Sequence, residues 1–536
     1  MAAGVACVRL TADADWDLLE ATIFPECKRG PLPKLLSSLK EMGALSAVIE
    51  DEYLDRDFTA EFSAFYCKLF ARYSKLCKRV HFFSVDVTDI LDLPDAAELS
   101  SKLEEAGNQT YLGFIVARPV AHSRVGRTVI AAPRSPAGMA SKLLVRAQYD
   151  VHLLGASLQV VGVPLVQQDT RVGACAQAAI WSAGRHFHVK HRGAWLSVSD
   201  ITEEALQPVD FSASTALPAG SQHLSVNSMV IALRRMGREP FSYVNPAAIG
   251  QGGGWAINPE AAISRYVDSG IPVILGLSVP NSHIGHAVVA IGQTAKMLTA
   301  GAQLPSNPTR AVFCEAFLVN DDQRGAYLRL PVSATSGYKE VPFTIEQNLQ
   351  YFLIPLPNKV YRPAESAEEI AWDILRNFYV VEMPKIRADS SFDMGSSNTS
   401  SDAFLSAVGS NHVIARTYLT YGWKHRLRIL RNSLVSETVK QAIIRHDLPR
   451  YVWITEFGTL DSMNHLDPGA KRIFSHTVID ATSSQFDRSA LFFHAPGLVK
   501  RWSHDPRAND GALVTDLVRV RDDAPYFPKV RGQTSL

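Results

Sequence analysis

The sequence predicts an α+β fold arranged in three parts. With 536 residues, the chain is longer than one hydrophobic core usually serves. In some segments apolar residues recur at helical spacing, and in others they form the short continuous runs typical of buried strands. Helices and strands are mixed along the chain and we find no internal repeat. We therefore expect three different domains, at residues 1–155, 156–358 and 359–536.

The composition argues against nucleic-acid and membrane partners. Lys and Arg number 54 against 53 Asp and Glu, whereas binding nucleic acid through counterion release needs a basic surface. The longest apolar runs, such as 271–277, are too short to cross a bilayer. The first residues lack the basic and apolar regions of a secretory signal, so we expect a cytoplasmic protein.

The first third of the chain carries no catalytic pattern. Its periodicity predicts a helix over 57–79, which contains Cys67 and Cys77, and then a strand over 80–85. A second helix is expected over 94–106, where the proline suits the first helical turn. The segments 111–117 and 127–131 are expected to be paired strands around a polar turn.

The chain has six scattered cysteines. They form no CxxC pair and predict neither a disulfide framework nor a zinc site. Of the six, Cys175 has the neighbours that indicate chemistry most clearly. An extended segment ends at Gln167 and Gln168, a polar loop follows, and an Ala-rich helix begins at or just before Cys175. A helix N-terminus favours the thiolate that a nucleophilic cysteine needs. The Cys175 N–H and the side chain of Gln168 or Gln167 could form an oxyanion hole.

A histidine and a carboxylate follow at the ends of two apolar strands. His286 opens a strand that runs to Gly292, where a rigid sheet would hold it as a base; His283 is the nearby alternative. The segment 317–325 is an apolar strand that runs into Asn320, Asp321 and Asp322. Asp321 is the first choice to orient the histidine ring, with its two neighbours as alternatives.

The remaining segments add structure and weaker signals. We expect a helix over 364–377, a mobile Ser-rich loop over 390–401, and strands over 451–455 and 490–494. Residues 251–255 are expected to form a mobile loop beside the cleft, with Trp255 as a wall for substrate.

Three further histidines lie close together in the sequence and raise the question of a metal site. We expect these residues, His186, His188 and His191, to lie just past the nucleophile helix and to form a polar helix end. They are not expected to bind a metal, because no cysteine or carboxylate ligand is near them.

The order of these motifs resembles the papain-like cysteine peptidase superfamily over about residues 158–335. It is similar to the bacterial branch that includes the double-glycine leader peptidases. The helix at 225–237 and the helix–glycine–strand unit at 261–277 fit the same succession of elements. The resemblance implies a papain-like core, with the nucleophile at the N-terminus of a helix packed on an antiparallel sheet, and further α+β domains on either side. It also implies a bacterial protein.

By that resemblance Cys175 is the nucleophile, His286 the general base, Asp321 the orienting residue and Gln168 the oxyanion donor. The implied activity is hydrolysis of a peptide, isopeptide or related amide bond, with a protein or peptide as substrate and no cofactor. A transglutaminase-like acyl transferase would use the same residues. A catalytically inactive peptide-binding scaffold is the alternative from a different class.

Overall fold

The computed structural model confirms the α+β prediction. Helices are mixed with antiparallel sheets of five, seven, six and two strands. The structure describes residues 4–25, 30–133, 140–169, 174–206, 224–280, 285–299, 301–388, 399–467, 469–484, 489–504, 513–520 and 524–526.

The first part is a five-stranded antiparallel sheet in the order β1-β2-β3-β4-β5 with helices packed on it. Its elements are β1 (Val5–Arg9), α1 (Asp13–Ile23), α2 (Leu32–Glu41), β2 (Ser46–Tyr53), α3 (Arg56–Ala64), β3 (Cys77–Phe83), α4 (Thr88–Leu91), α5 (Ala96–Thr110), β4 (Tyr111–Ala117) and β5 (Val125–Ile130). The predicted pairing of the last two strands is confirmed.

The predicted helix over 57–79 is wrong. α3 ends at Ala64, one 3₁₀ turn covers Tyr66–Lys68, and Cys77 already belongs to β3. The helical spacing of aromatic residues here reflects a cluster of rings, in which Tyr66 contacts Phe58 at 5.8 Å and Tyr73 at 4.8 Å between ring centroids. Apolar periodicity records which residues are buried, and here a compact non-helical segment buries them.

The second part is built around a seven-stranded sheet in the order β13-β12-β11-β10-β14-β9, with β6 beside β11. Its elements are β6 (Ala140–Leu143), β7 (Ala147–Leu153), β8 (Ala156–Gly162), α6 (Cys175–His191), α7 (Val198–Ala205), α8 (Val226–Arg235), β9 (Arg238–Val244), α9 (Pro259–Asp268), β10 (Val273–Ser278), β11 (Gly285–Ala295), β12 (Cys314–Asp321), β13 (Gly325–Pro331), α10 (Ile345–Asn348) and β14 (Leu349–Pro357). β7 and β8 form a separate hairpin.

Strand β6 links the first third of the chain to this central sheet. It pairs with the second half of β11, where Leu143 lies opposite Gly292. A side-chain carbon at Gly292 would lie 2.3 Å from the carbonyl oxygen of Lys142, so only glycine allows so close an approach. The domain boundary at residue 155 stays a prediction, since β6 precedes it yet belongs to the central sheet.

The third part is a six-stranded antiparallel meander, β15 to β20 in chain order. Helices pack on both of its faces, in two separate hydrophobic clusters. Its elements are α11 (Ala364–Asn377), α12 (Met383–Ala388), α13 (Thr399–Gly409), β15 (Val413–Tyr421), α14 (Gly422–Arg431), α15 (Glu437–Ile444), β16 (Tyr451–Thr459), α16 (Leu460–Met463), β17 (Ser475–Asp480), β18 (Ala490–Ala495), β19 (Leu498–His504) and β20 (Leu513–Arg519). The predicted helix over 364–377 and both predicted strands are confirmed. Most of the Ser-rich segment lies outside the described residues.

Buried ion pairs join the parts. Asp268, at the end of α9, contacts Arg310 and Arg416, and Arg416 lies 3.2 Å from Glu456 on β16. None of the described helices combines the length and the apolar character needed to cross a bilayer.

Candidate active site

Cys175 is the first residue of α6 and lies against the central sheet. Its Sγ atom accepts the N–H of Ala287, on β11, at 3.4 Å. The side chain is half-buried, so the sulfur is both held and accessible. The contact with the backbone of β11 holds the sulfur at the edge of the sheet.

Contacts along α6 fix the position of this cysteine. Trp181 donates its indole N–H to Asp57 of α3 at 2.9 Å, and Arg185 forms an ion pair with the same carboxylate. Ser182 donates to the carbonyl oxygen of Pro164 at 2.6 Å, which ties the helix to the extended segment before the nucleophile. The first part of the chain therefore supports the nucleophile helix directly.

His286 lies on β11 immediately before Ala287, opposite Leu277 of β10, and is 4% exposed. Its Nε2 atom lies 3.0 Å from Oδ1 of Asp321, at the end of β12. The distance is that of an ion pair, although the ring N–H is not aligned for a hydrogen bond. The cysteine, the histidine and the carboxylate thus come together from three separate elements.

The two partners shift each other's pKa in opposite directions. Burial lowers the pKa of His286, but its contacts with Asp321 and Cys175 outweigh burial and raise it to about 10. Burial raises the pKa of Asp321, but His286 and then Arg324 more than compensate and hold it below its usual range. Both shifts favour a charged imidazolium–carboxylate pair near neutral pH.

This pair should make stability depend on pH. Because folding raises the pKa of His286 from its ordinary value near 6.5 to about 10, its contribution is complete below about pH 6.5 and is lost as the pH rises towards 10. We expect wild type to exceed His286→Gln in free energy of unfolding by a few kcal/mol more at pH 6 than at pH 10, in denaturant titrations. The exposed His122→Gln should show no such trend. An equal gap at both pH values would contradict the shift.

The neighbours of Asp321 are placed differently. Asn320 turns to the other side, where it donates to the carbonyl oxygen of Pro164 at 3.2 Å and accepts from the N–H of Tyr327 at 3.2 Å. Asp322 is 4% exposed, and His286 and the backbone of Gln168 are among the groups that oppose the effect of its burial. Burial raises the pKa of Asp322 to about 7, although the charge of His286 opposes this. Of the three alternatives, only Asp321 forms an ion pair with the histidine.

The two glutamines before the nucleophile have different surroundings. Gln167 is buried, and its side-chain oxygen accepts the N–H of Val125 at 3.1 Å, which is a structural contact with β5. The backbone carbonyl of Gln168 accepts from Ser123 at 2.8 Å, and no hydrogen bond joins its side chain to any residue that the structure describes. Residues 170–173 lie outside the described residues, so the oxyanion role of Gln168 stays a prediction.

Two side chains near the site were missed from the sequence. The amide nitrogen of Gln323 lies 3.5 Å from Nδ1 of His286. Tyr351, on β14, is half-buried, and its partial burial together with the electrostatic influence of Cys175 raises its pKa to about 12. Gly276 makes room for the tyrosine, because a side-chain carbon there would lie 2.2 Å from the ring. Only the pairing of β14 with β10 brings Tyr351 here, and local sequence does not show that pairing.

The remaining predictions from the sequence concern four histidines and the glycine-rich segment before Trp255. His283, the alternative base, lies outside the described residues. The expectation that His186, His188 and His191 follow the nucleophile helix is wrong, because α6 continues to His191 and ends at Arg192 in the left-handed conformation. The ring of Trp255 packs 5.6 Å from that of Phe352, next to Tyr351 on β14, while the glycines before it are exposed.

One group at the site has the donors for a metal ion. A nitrogen of His286 and one oxygen each of Asp321 and Asp322 lie within 4.8 Å of one another. A metal would need a neutral imidazole, whereas the pKa of His286 is raised and favours the proton. The proton and a divalent cation would therefore compete for this group.

Comparisons with known proteins give little beyond this geometry. No protein-family profile and no curated protein matches the sequence. One solved structure, the peptidase domain of Streptococcus ComA, a bi-functional ABC transporter involved in a quorum sensing pathway, aligns with 36% of this chain and 98% of that domain. The identity is 15% and the TM-score 0.21, so the likeness carries no conclusion about this chain.

Proposed function

We propose that the protein is a papain-like cysteine hydrolase that cleaves a peptide, isopeptide or related amide bond. The observation that carries the proposal is the placement of three residues at a helix start and two neighbouring strands. Sγ of Cys175 accepts the N–H of Ala287, the residue after His286, Cys175 also contributes to the raised pKa of His286, and His286 lies 3.0 Å from Asp321. This arrangement supplies a nucleophile, a base and a group that orients the base.

In the proposed mechanism, His286 takes the proton of the Cys175 thiol and the thiolate attacks the substrate carbonyl carbon. The tetrahedral intermediate then expels the amine, which receives its proton from His286. The acyl group remains on sulfur as a thioester until water, deprotonated by His286, releases the acid. Asp321 keeps the ring oriented and stabilises its positive charge through both steps.

The contacts around Asp321 support its role. Its Oδ1 accepts the backbone N–H of Gln323 at 2.9 Å, and its Oδ2 lies 3.1 Å from a guanidinium nitrogen of Arg324. The residue is fully buried, so these partners compensate for the loss of water around its charge. Together they fix the carboxylate at the position where it meets the histidine.

A thiol-directed epoxide probe tests the proposal without knowledge of the substrate. Site-resolved mass spectrometry should find Cys175 labelled much faster than Cys67, an exposed thiol. Among the residues that the structure describes, Cys67 bonds only to the backbone carbonyl of Ser63, near the end of α3. Cys175→Ala should lose the fast label and keep the slow one. A chelator should change neither rate, because the proposed chemistry uses no metal.

Equal labelling of Cys175 and Cys67 at neutral pH would refute the hydrolase and favour an inactive peptide-binding scaffold. If the fast label is found, new peptide termini in cells that express wild type but not Cys175→Ala would identify the substrate. A transglutaminase-like transferase would instead yield amide products with an added primary amine, because both activities share the thioester.

A further inference from the structure

A cavity of about 560 Å³ lies between the second and third parts of the protein, away from Cys175. It is bordered by the last turn of α6, the turn between α8 and β9, the segment after β14, and the ends of β15 and β16. His191 lines it from the C-terminal end of the helix that Cys175 begins, about 24 Å away by the rise of an α-helix. Its volume suits a small organic ligand.

The charged side chains of this cavity are all cations. Arg235, Arg238, Lys359 and Arg450 line it, and no carboxylate does so among the residues that the structure describes. Arg235 has an acidic partner outside the cavity, Glu204, at 3.3 Å. The other three form no ion pair with any described acid.

Arg238 is the most unusual of the four. It is 7% exposed, its guanidinium carbon lies 3.8 Å from the ring centroid of Phe187, and its Nε has no hydrogen-bond partner among the described residues. A buried charge without a counter-charge destabilises a protein unless something else neutralises it. An anion in the cavity would supply that neutralisation.

The pKa values of two groups that line the cavity are lowered. Burial lowers the pKa of Arg238 to about 10. It also lowers the pKa of His191 to about 3, with further contributions from Arg238, Lys190 and Lys424. Burial is the main cause of both shifts. For His191 the neighbouring cations add to it, and an anion in the cavity would offset their charge.

We propose that this cavity binds a small anion that carries phosphate. The guanidinium forks of Arg238 and Arg450 match two phosphate oxygens at a time, and Lys359 adds a point charge. Tyr421 and Tyr451, with ring centroids 5.2 Å apart, line the same space and offer faces to an aromatic ring. The proposal is independent of the hydrolase activity.

Titration calorimetry on the full chain tests the site, with inorganic pyrophosphate and ADP as probes at constant ionic strength. We expect one binding event per chain. Arg238→Gln should weaken it about tenfold or more, as expected when a charged hydrogen bond is lost. Arg72→Gln, at an exposed site in the first part of the chain, removes the same charge and should leave the affinity unchanged.

If Arg238→Gln fails to fold, Arg450→Gln and Lys359→Gln test the site instead. Both side chains are exposed, so their replacement should not prevent folding. Each should weaken pyrophosphate binding severalfold. If ADP binds more tightly than pyrophosphate, the ligand is an organic molecule that carries phosphate. If both bind equally, the cavity recognises the phosphate groups alone. The absence of pyrophosphate binding at millimolar concentration, or binding unaffected by all three substitutions, would overturn the proposal.

Discussion

Replacing His286 with alanine should slow the reaction of Cys175 with a thiol-directed epoxide at pH 6 by about 10²- to 10³-fold. The reactive form is the thiolate, and a free cysteine with an ordinary pKa of about 8.5 is only about 0.3% ionised at this pH. In the proposed mechanism His286 takes the proton of the thiol, and its raised pKa of about 10 allows it to hold that proton at pH 6. Without the ring, this advantage is lost.

The effect is measured as the ratio of labelling at Cys175 to labelling at Cys67 in the same sample, which cancels differences in probe concentration. His122→Ala is the matched control, because that histidine is exposed and is not part of the site. Asp321→Asn should give a smaller reduction than His286→Ala, since it removes the orienting charge and leaves the base. An unchanged ratio in His286→Ala would exclude a thiolate–imidazolium pair.

Replacing Asp57 with alanine should destabilise the protein by about 3 to 5 kcal/mol, the usual result of removing one partner of a buried ion pair. Asp57 and Arg185 are 4% and 5% exposed, and the same carboxylate accepts the indole N–H of Trp181. The substitution leaves Arg185 charged and buried, and it removes the only acceptor of that indole among the described residues. Typical domains have a total stability of only about 5 to 15 kcal/mol.

Chemical denaturation followed by circular dichroism measures the loss. Glu98→Ala provides the contrast, because Glu98 pairs with Lys102 on an exposed helix face and should contribute less than about 1 kcal/mol. Asp57→Ala combined with Arg185→Met should recover part of the loss, since the uncompensated charge is then gone. A destabilisation of Asp57→Ala no larger than that of Glu98→Ala would contradict the argument.

The elements that carry the site were largely predictable because their signals are local. An Ala-rich segment after a polar loop predicts the start of α6 at Cys175, and glycines bracket the apolar run of β11. Both features depend on residues within one turn or one strand. The same reasoning failed over 57–79, where burial in a cluster of rings imitates helical periodicity.

The choice among Asn320, Asp321 and Asp322 could not be made from sequence. Alternate residues of a strand face opposite sides, but the register between β12 and β13 shifts between Val319 and Asp321. Simple alternation along the strand therefore does not identify the residue that meets His286.

The pairing of β6 with β11 limits how the chain can be divided. A fragment that began at residue 156 would lack β6 and would leave the backbone of Gly292–Ala295 open as an unpaired edge on the strand that carries His286. Exposed edges of this kind promote aggregation. A minimal fragment for expression or for transfer to another protein should therefore start before Ala140, and should retain Asp57 as well if α6 is to keep its support.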